Sequence, residues 1–315
     1  MRIEASPVSG STGTPGVSLL ASSTGPSVVS SLPLQPPVAA HRAPTIIVFD
    51  SGLGGLSVFR ELARTRPDAR FVYAADDAGF PYGPRSEADL VGRVVAVMDA
   101  LTARLAPDAV VIACNTASTL VLPALRARYA IPFIGTVPAI KPACERSLTR
   151  QVSVLATPGT VKRDYTQALI RDFAGDCRVT LVGSTDLARL AELALSGAEV
   201  PDEAFAAEIA PAFVREGKGR ESKARTDTVV LACTHYPLVL DRLQKVAPWP
   251  VRWVDPAAAI ARRLSSLLGP VAFASSPAPL RLFSTGTPLD AALVERIVGR
   301  RARAGELVPL TPAPV

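Results

Sequence analysis

Asp108 to Cys114 reads DAVVIAC and Asp227 to Cys233 reads DTVVLAC. Five of the seven positions are identical and a sixth exchanges Ile for Leu. One pattern therefore occurs twice: an acidic residue, a β-branched run too short for a helix, and a terminal cysteine. An apolar run without polar alternation is what a strand covered on both faces requires, as in a parallel sheet. Repetition confined to a strand and its terminal reactive residue predicts two related halves, each placing a thiol at its own strand end.

Outward from this pair, short β-branched runs alternate with Ala/Leu/Arg-rich helical segments, the pattern of an α/β fold with mostly parallel sheets. Strands are predicted at Thr45 to Phe49, Arg70 to Ala74, Ala109 to Ala113, Phe133 to Gly135, Val152 to Ala156, Val179 to Val182, Thr228 to Ala232 and Val251 to Val254. Four of them end in small or polar clusters: Asp50-Ser51-Gly52, Cys114-Asn115-Thr116, Thr157-Pro158-Gly159-Thr160 and Cys233-Thr234-His235. Ligands of open α/β sheets bind beyond the carboxyl ends of the strands, so a site is expected where these clusters meet.

The chemistry follows from the paired thiols. Inverting a carbon stereocentre by proton transfer takes a base on one face and an acid on the other, and a thiol titrates close enough to neutrality to serve as either. The competing reading of any one cysteine is a small buried hydrophobe, and it is the expectation for Cys144 and Cys177, which lie in no comparable context. Asn115, Thr116 and Thr234 supply short donors for an amino acid's carboxylate and amine, with helix capping as the alternative. His235 is the sole histidine outside the N-terminal arm and follows Cys233 by two residues, close enough to assist that thiol or donate to a carboxylate. Asp50 to Gly55 (DSGLGG) reads as a strand-to-helix turn with backbone N–H groups open to an anion. It matches neither a Walker loop nor a dinucleotide fingerprint.

Composition narrows the class. The chain has 315 residues, 48% of them hydrophobic, enough for two domains. Its four cysteines are far apart with no CxxC pair, which points away from a disulfide framework or zinc ribbon and toward a reduced, cytoplasmic setting. No apolar run reaches the roughly 20 residues of a membrane span. A formal charge of +6 is spread over arginines that do not alternate with aromatics, so no nucleic-acid partner is expected. Residues 1–43 are rich in Ser and Pro with few charges and read as a disordered arm. Val17 to Ala21, interrupted by Ser18, is too short for a secretory h-region.

Taken together, VFDSGLGGLSV, the PYGPRS loop, VIACNTAST, the TPGT turn and VLACTHYPL resemble the glutamate racemases of the aspartate/glutamate racemase superfamily, over roughly Thr45 to Arg263. The resemblance implies two pseudo-symmetric α/β domains with the active site in the cleft between them. The expected bounds are 44–137 plus 250–288 for the first, 138–249 for the second and 289–315 for a tail. It implies cofactor-independent interconversion of L- and D-glutamate, with D-glutamate destined for peptidoglycan, cell-wall biogenesis and cell shape. No metal or pyridoxal phosphate is implied, the partner is the small-molecule substrate, and a homodimer is compatible with the resemblance. Carried over by motif, Cys114 and Cys233 match the acid/base thiols, Cys114 serving the D-enantiomer and Cys233 the L-enantiomer, while Asp50 and His235 match their assistants. Ser51, Asn115, Thr116 and Thr234 match contacts to the amine and α-carboxylate, and Tyr82 and Gly83 match the pocket for the distal carboxylate. Thr157 and Thr160 fit a GTxGT turn that here begins with Ala156. Glu192 fits a glutamate behind the histidine, although Gly183-Ser184-Thr185 replaces the usual Ala-Cys-Pro ahead of it. Three rivals fit parts of the same pattern: a racemase for aspartate or another amino acid, since only the distal pocket discriminates, an amino-acid binding protein without turnover, and a Cys-His hydrolase that leaves the second thiol unused.

Overall fold

A computed structural model describes residues 42–215, 225–271 and 277–308. Its strands are β1 (Thr45–Asp50), β2 (Arg70–Ala75), β3 (Ala109–Ile112), β4 (Phe133–Gly135), β5 (Gln151–Ala156), β6 (Arg178–Gly183), β7 (Thr228–Ala232), β8 (Arg252–Val254), β9 (Arg281–Ser284) and β10 (Glu306–Leu307). They form two sheets, ordered β10-β9-β2-β1-β3-β4 and β6-β5-β7-β8, and every pairing is parallel. The order β2-β1-β3-β4 in the first is repeated as β6-β5-β7-β8 in the second. The matched segments, β3 and β7, thus occupy the same place in each sheet.

The acidic residue that opens each matched segment has the same task in both. Asp108 accepts the backbone N–H of Thr45 at 2.7 Å, at the start of β1. Asp227 accepts the N–H groups of Leu148 and Thr149 and the Ser147 hydroxyl, just ahead of β5. Burial raises the Asp227 carboxyl, but these donors outweigh it and hold the group below its usual range.

Central strands are buried on both faces because their apolar residues alternate between two cores. Ile46, Val48 and Val111 pack with the helices Leu56–Thr65, Ala257–Leu268 and Ala291–Val298. Ile47, Phe49, Val110 and Ile112 face Glu87–Leu105 and Leu122–Arg128. The second sheet is layered in the same way, with Val229 and Leu231 on one side and Val154 and Val230 on the other. The helix Glu87–Leu105 starts where Ser86 caps the N–H of Asp89 and stops at Ala106, whose φ is 43°.

Two expected boundaries move. The strand at 252–254 lies in the second sheet, not the first, because Val254 pairs with Val230. The chain returns to the first sheet only with Ala257–Leu268. Residues 291–298 and 306–307 do not form a separate tail: the former pack into the first core through Val294, and the latter extend the first sheet beyond β9. The arm at 1–41 lies outside the described residues, as does most of the basic stretch Arg215 to Arg225. Among the described residues, no helix is long and apolar enough to cross a membrane.

Candidate functional site

Because all strands are parallel, the carboxyl ends of β1, β3, β5 and β7 deliver Asp50, Cys114, Thr157 and Cys233 to the site's edge. In each sheet the first and third strands are adjacent while their outer neighbours diverge, which is where crevices open in doubly wound sheets. Hydrogen bonds join the two halves here.

Asp50 is fully buried. Its Oδ1 accepts the Ser51 hydroxyl and the Gly52 N–H, each at 3.1 Å, and its Oδ2 accepts the Thr234 hydroxyl from the other half at 2.8 Å. Burial pushes the carboxyl above its usual range, against the pull of His235 and these donors. The Ser51 hydroxyl stands 3.8 Å from the Cys114 sulfur. Burial and then the Asp50 charge push the Cys114 thiol strongly up, so Cys114 rests as the protonated thiol.

On the opposite side, the Cys233 sulfur lies 3.7 Å from His235 Nδ1, and His235 Nε2 lies 2.9 Å from Glu192 Oε1. The same Glu192 oxygen accepts the N–H of Leu53 in the first half at 2.9 Å. Burial works against a charged imidazole, but the Cys233 and Glu192 contacts outweigh it and hold His235 well above its usual value. For Glu192 burial is likewise outweighed, by His235 and the Leu53 N–H, and the carboxyl is held low. His235 therefore rests as an imidazolium beside Cys233. The Phe80 ring lies 5.6 Å from the His235 ring, centre to centre.

A third group of contacts is made of hydroxyls. Thr116 Oγ1 is 3.0 Å from Thr157 Oγ1 and 3.4 Å from Thr160 Oγ1, and the last two are 3.1 Å apart. Asn115, between Cys114 and Thr116, is buried with neither side-chain polar atom hydrogen-bonded. A buried amide in that state is built for a partner that arrives. Asn115, Thr116 and Thr234 do not cap: neither the short helix Asn115–Ser118 nor the turn Tyr236–Val239 has a side-chain cap, and Thr234 donates to Asp50. Thr157 does both, capping Thr160 while joining the hydroxyl group.

The glycines serve close approach between the halves. A Cβ on Gly54 would fall 2.5 Å from both His235 Nδ1 and Thr234 Oγ1. One on Gly159 would fall 3.0 Å from the carbonyl oxygen of Gly83. A Cβ on Gly83 would fall 3.8 Å from Thr157 Cβ. Beside this contact a cavity of about 770 Å³ opens between Phe80 to Arg85 and Thr157 to Arg163, reaching Ser184 to Arg189.

Every candidate from the sequence thus falls in or beside one cluster, with one qualification. Tyr82 is buried and its hydroxyl donates to Asp76 at 2.5 Å, so its phenolic proton is committed there. Sequence reasoning missed Asp76 with its partners Arg93 and Thr285, and also Tyr73, whose hydroxyl props the Gly52 carbonyl at 2.6 Å. Asp76 had a signal, since it too follows a strand end. Arg93, in mid-helix, had none. Cys144 and Cys177 sit together in the far core of the second sheet, away from the cluster.

Comparison with known proteins agrees with this geometry. The profile of the Asp/Glu/Hydantoin racemase family matches residues 50–264, from Asp50 past both matched thiols. The glutamate racemase of Brucella canis is 54% identical over 240 residues, 76% of this chain and 84% of that protein. The glutamate racemase of Rhizobium meliloti is 57% identical over 224 residues, 71% and 79% respectively. Among solved structures, Escherichia coli glutamate racemase in complex with L-glutamate and the activator UDP-MurNAc-ala is 41% identical, covers 85% of this chain and 99% of its own, and gives a TM-score of 0.74. The glutamate racemase of Aquifex pyrophilus is 29% identical with a TM-score of 0.64, covering 84% and 98%. The chain belongs to the Asp/Glu/Hydantoin racemase family and, within it, to the glutamate racemases.

Proposed function

We propose that this protein interconverts L- and D-glutamate by a two-base mechanism in which Cys114 and Cys233 exchange proton and role, and that its D-glutamate supplies peptidoglycan synthesis in the cytoplasm. The observation that carries the reading is the pair of unlike thiols at equivalent strand ends. One is held protonated by burial and Asp50, and the other lies beside a buried imidazolium. Toward the L-enantiomer Cys233 is assigned as the base and Cys114 as the acid. The reverse state takes two proton transfers, from Cys114 by way of Ser51 to the raised Asp50 carboxyl and from His235 to Cys233.

An α-proton flanked by a carboxylate is very weakly acidic, so the site must stabilise the developing carbanion with groups already in place. Asn115 offers an uncommitted amide, and Ser51, Thr116 and Thr234 line the same edge for the amine and α-carboxylate. Thr157, Thr160 and the Tyr82–Gly83 loop are assigned to the distal carboxylate. The acid/base work is assigned to the thiols and their neighbours, with no step given to pyridoxal phosphate or a metal.

A hydrolase reading has one observation in its favour, the Cys233-His235-Glu192 alignment, which has the layout of a nucleophile, base and orienting acid. It leaves Cys114 and its counterpart setting without a task. Incubating the purified protein with L-glutamate alone and resolving the enantiomers by chiral chromatography separates the two: racemisation gives an equal mixture. An acyl-enzyme trapped on Cys233, with no D-glutamate formed, would favour hydrolysis.

The arrangement also fixes a pH effect. Glu192 helps hold His235 protonated, so Glu192→Gln lowers the His235 pKa and its imidazolium is lost at lower pH. The alkaline limb of kcat/KM is expected to move toward acid by about one unit. The shift must be the same in both directions, because the enantiomers have equal free energy. A pH–rate profile with an unmoved alkaline limb would remove Glu192 from this role.

A further inference from the structure

Asp76 lies at the end of β2 with no exposed surface, and four donors from three other segments converge on its carboxylate. Tyr82 Oη and Arg93 Nε each donate to Oδ2 at 2.5 Å, Arg93 Nη2 donates to Oδ1 at 2.6 Å, and the Thr285 hydroxyl donates to Oδ1 at 2.5 Å. A buried carboxylate is tolerated only with such complete pairing. The adjacent Asp77 accepts the backbone N–H groups of Thr285, Gly286 and Thr287 at 3.1, 2.8 and 2.7 Å. The returning chain beyond β9 is thereby fastened to the loop that carries Tyr82.

Tyr82 has one phenolic proton, and Asp76 takes it. The side chain is thus an anchor for the loop, and what the loop presents to the site is main chain at Gly83, whose carbonyl leaves no room for a Cβ on Gly159 and which lines one cavity with Thr157. We propose that Asp76, Arg93 and Thr285 are positioning residues for glutamate racemisation: through the Tyr82 phenol they set the height of Gly83 over the threonine hydroxyls and so fix the subsite that measures the substrate's chain length. This rests on the functional reading above. Glutamate and aspartate differ by one methylene, a difference of about one bond length. A loop free to shift by that much can no longer discriminate between them.

The test is kinetic, with the melting temperature measured in parallel. Thr285→Val is isosteric and removes one donor, Thr285→Ser restores it, and Tyr82→Phe removes the anchor itself. Thr285→Val and Tyr82→Phe are each expected to raise KM for both glutamate enantiomers about tenfold with kcat changed less than about twofold. Preference over aspartate should erode with them, and Thr285→Ser should return KM to the wild-type value. The Tyr82→Phe/Thr285→Val double variant should be little worse than Tyr82→Phe, since both act through one contact. Arg93→Met leaves a buried carboxylate without its counter-charge and lowers the melting temperature as well, so the isosteric Thr285→Val decides the matter. Unchanged KM with only a lower melting temperature, or fully multiplicative effects in the double variant, would overturn the proposal. Failure of the wild-type protein to racemise glutamate would instead overturn the functional reading beneath it.

Discussion

Serine in place of either Cys114 or Cys233 lowers kcat/KM for racemisation by about 10³-fold or more, the scale of losing a positioned acid or base. Both variants are expected to lose activity in both directions, because every inversion uses both thiols once. The hydroxyl occupies nearly the same space, so the fold survives, but it is a far weaker acid than a thiol, and a neighbouring imidazolium does not stabilise its anion enough for it to act as a base. Cys144→Ser is the control: that residue packs in the far core of the second sheet and should leave turnover unchanged. Steady-state kinetics with each enantiomer, on protein whose melting temperature is first shown to be intact, makes the comparison.

Asp50→Asn should be the next most damaging change, with a loss of about 10²-fold in kcat/KM. Both carboxylate oxygens of Asp50 accept from donors, Ser51 and Gly52 on one side and Thr234 on the other. Asparagine must turn an NH₂ toward one of these sets, where it meets a donor. Toward Gly52 the amide meets an N–H that cannot accept, and toward Thr234 it forces the hydroxyl to reverse, so the hydrogen bonding on the Cys114 side or the Cys233 side is disrupted. The Asp50 charge also helps to keep the Cys114 thiol protonated, so the variant should let Cys114 ionise at lower pH. Titrating the thiols by their thiolate absorbance, in the wild type and in Asp50→Asn on a Cys144→Ser background, would show this. An unchanged Cys114 titration together with full activity would remove Asp50 from the account.

Much of this was legible in the residues. The eight strands predicted from β-branched runs are present to within about a residue or two, because burial on both faces leaves Val and Ile few alternatives. The duplicated segment was legible as a repeat, but the purpose of its leading aspartates appears only when Thr45 and Leu148 are seen to be their targets. β9 was missed because Arg281 to Ser284 is short, lacks β-branched residues and follows Pro279. β10 is two residues long and has no pattern to read. The placement of β8 in the second sheet depends on pairing partners, which a single strand's composition does not encode.

For the site, strand-end chemistry pointed to Asp50, Cys114, Thr157 and Cys233. Glu192 was reachable only through the family resemblance. Alone, it sits in LARLAELAL and reads as an ordinary helical surface residue, while its partners His235 and Leu53 lie 43 and 139 positions away. The glycines of DSGLGG suggested an anion cradle, whereas the space they leave at Gly54 is filled by His235 and Thr234. The Asp76 network joins residues up to 209 positions apart, and of its members only Asp76, just past a strand end, carries a local mark.

The central claim is that two thiols on opposite faces share the proton transfer, and racemisation in D₂O tests it most directly. Protein is incubated with L-glutamate, and separately with D-glutamate, and the reaction is stopped at low conversion. The α-deuterium content of each enantiomer is then read by mass spectrometry after chiral separation. The two-base account predicts that the newly formed enantiomer carries deuterium while the recovered substrate keeps its original hydrogen. Deuterium in the recovered substrate as readily as in the product, or product that retains the original hydrogen, would mean that one base serves both faces and would contradict it.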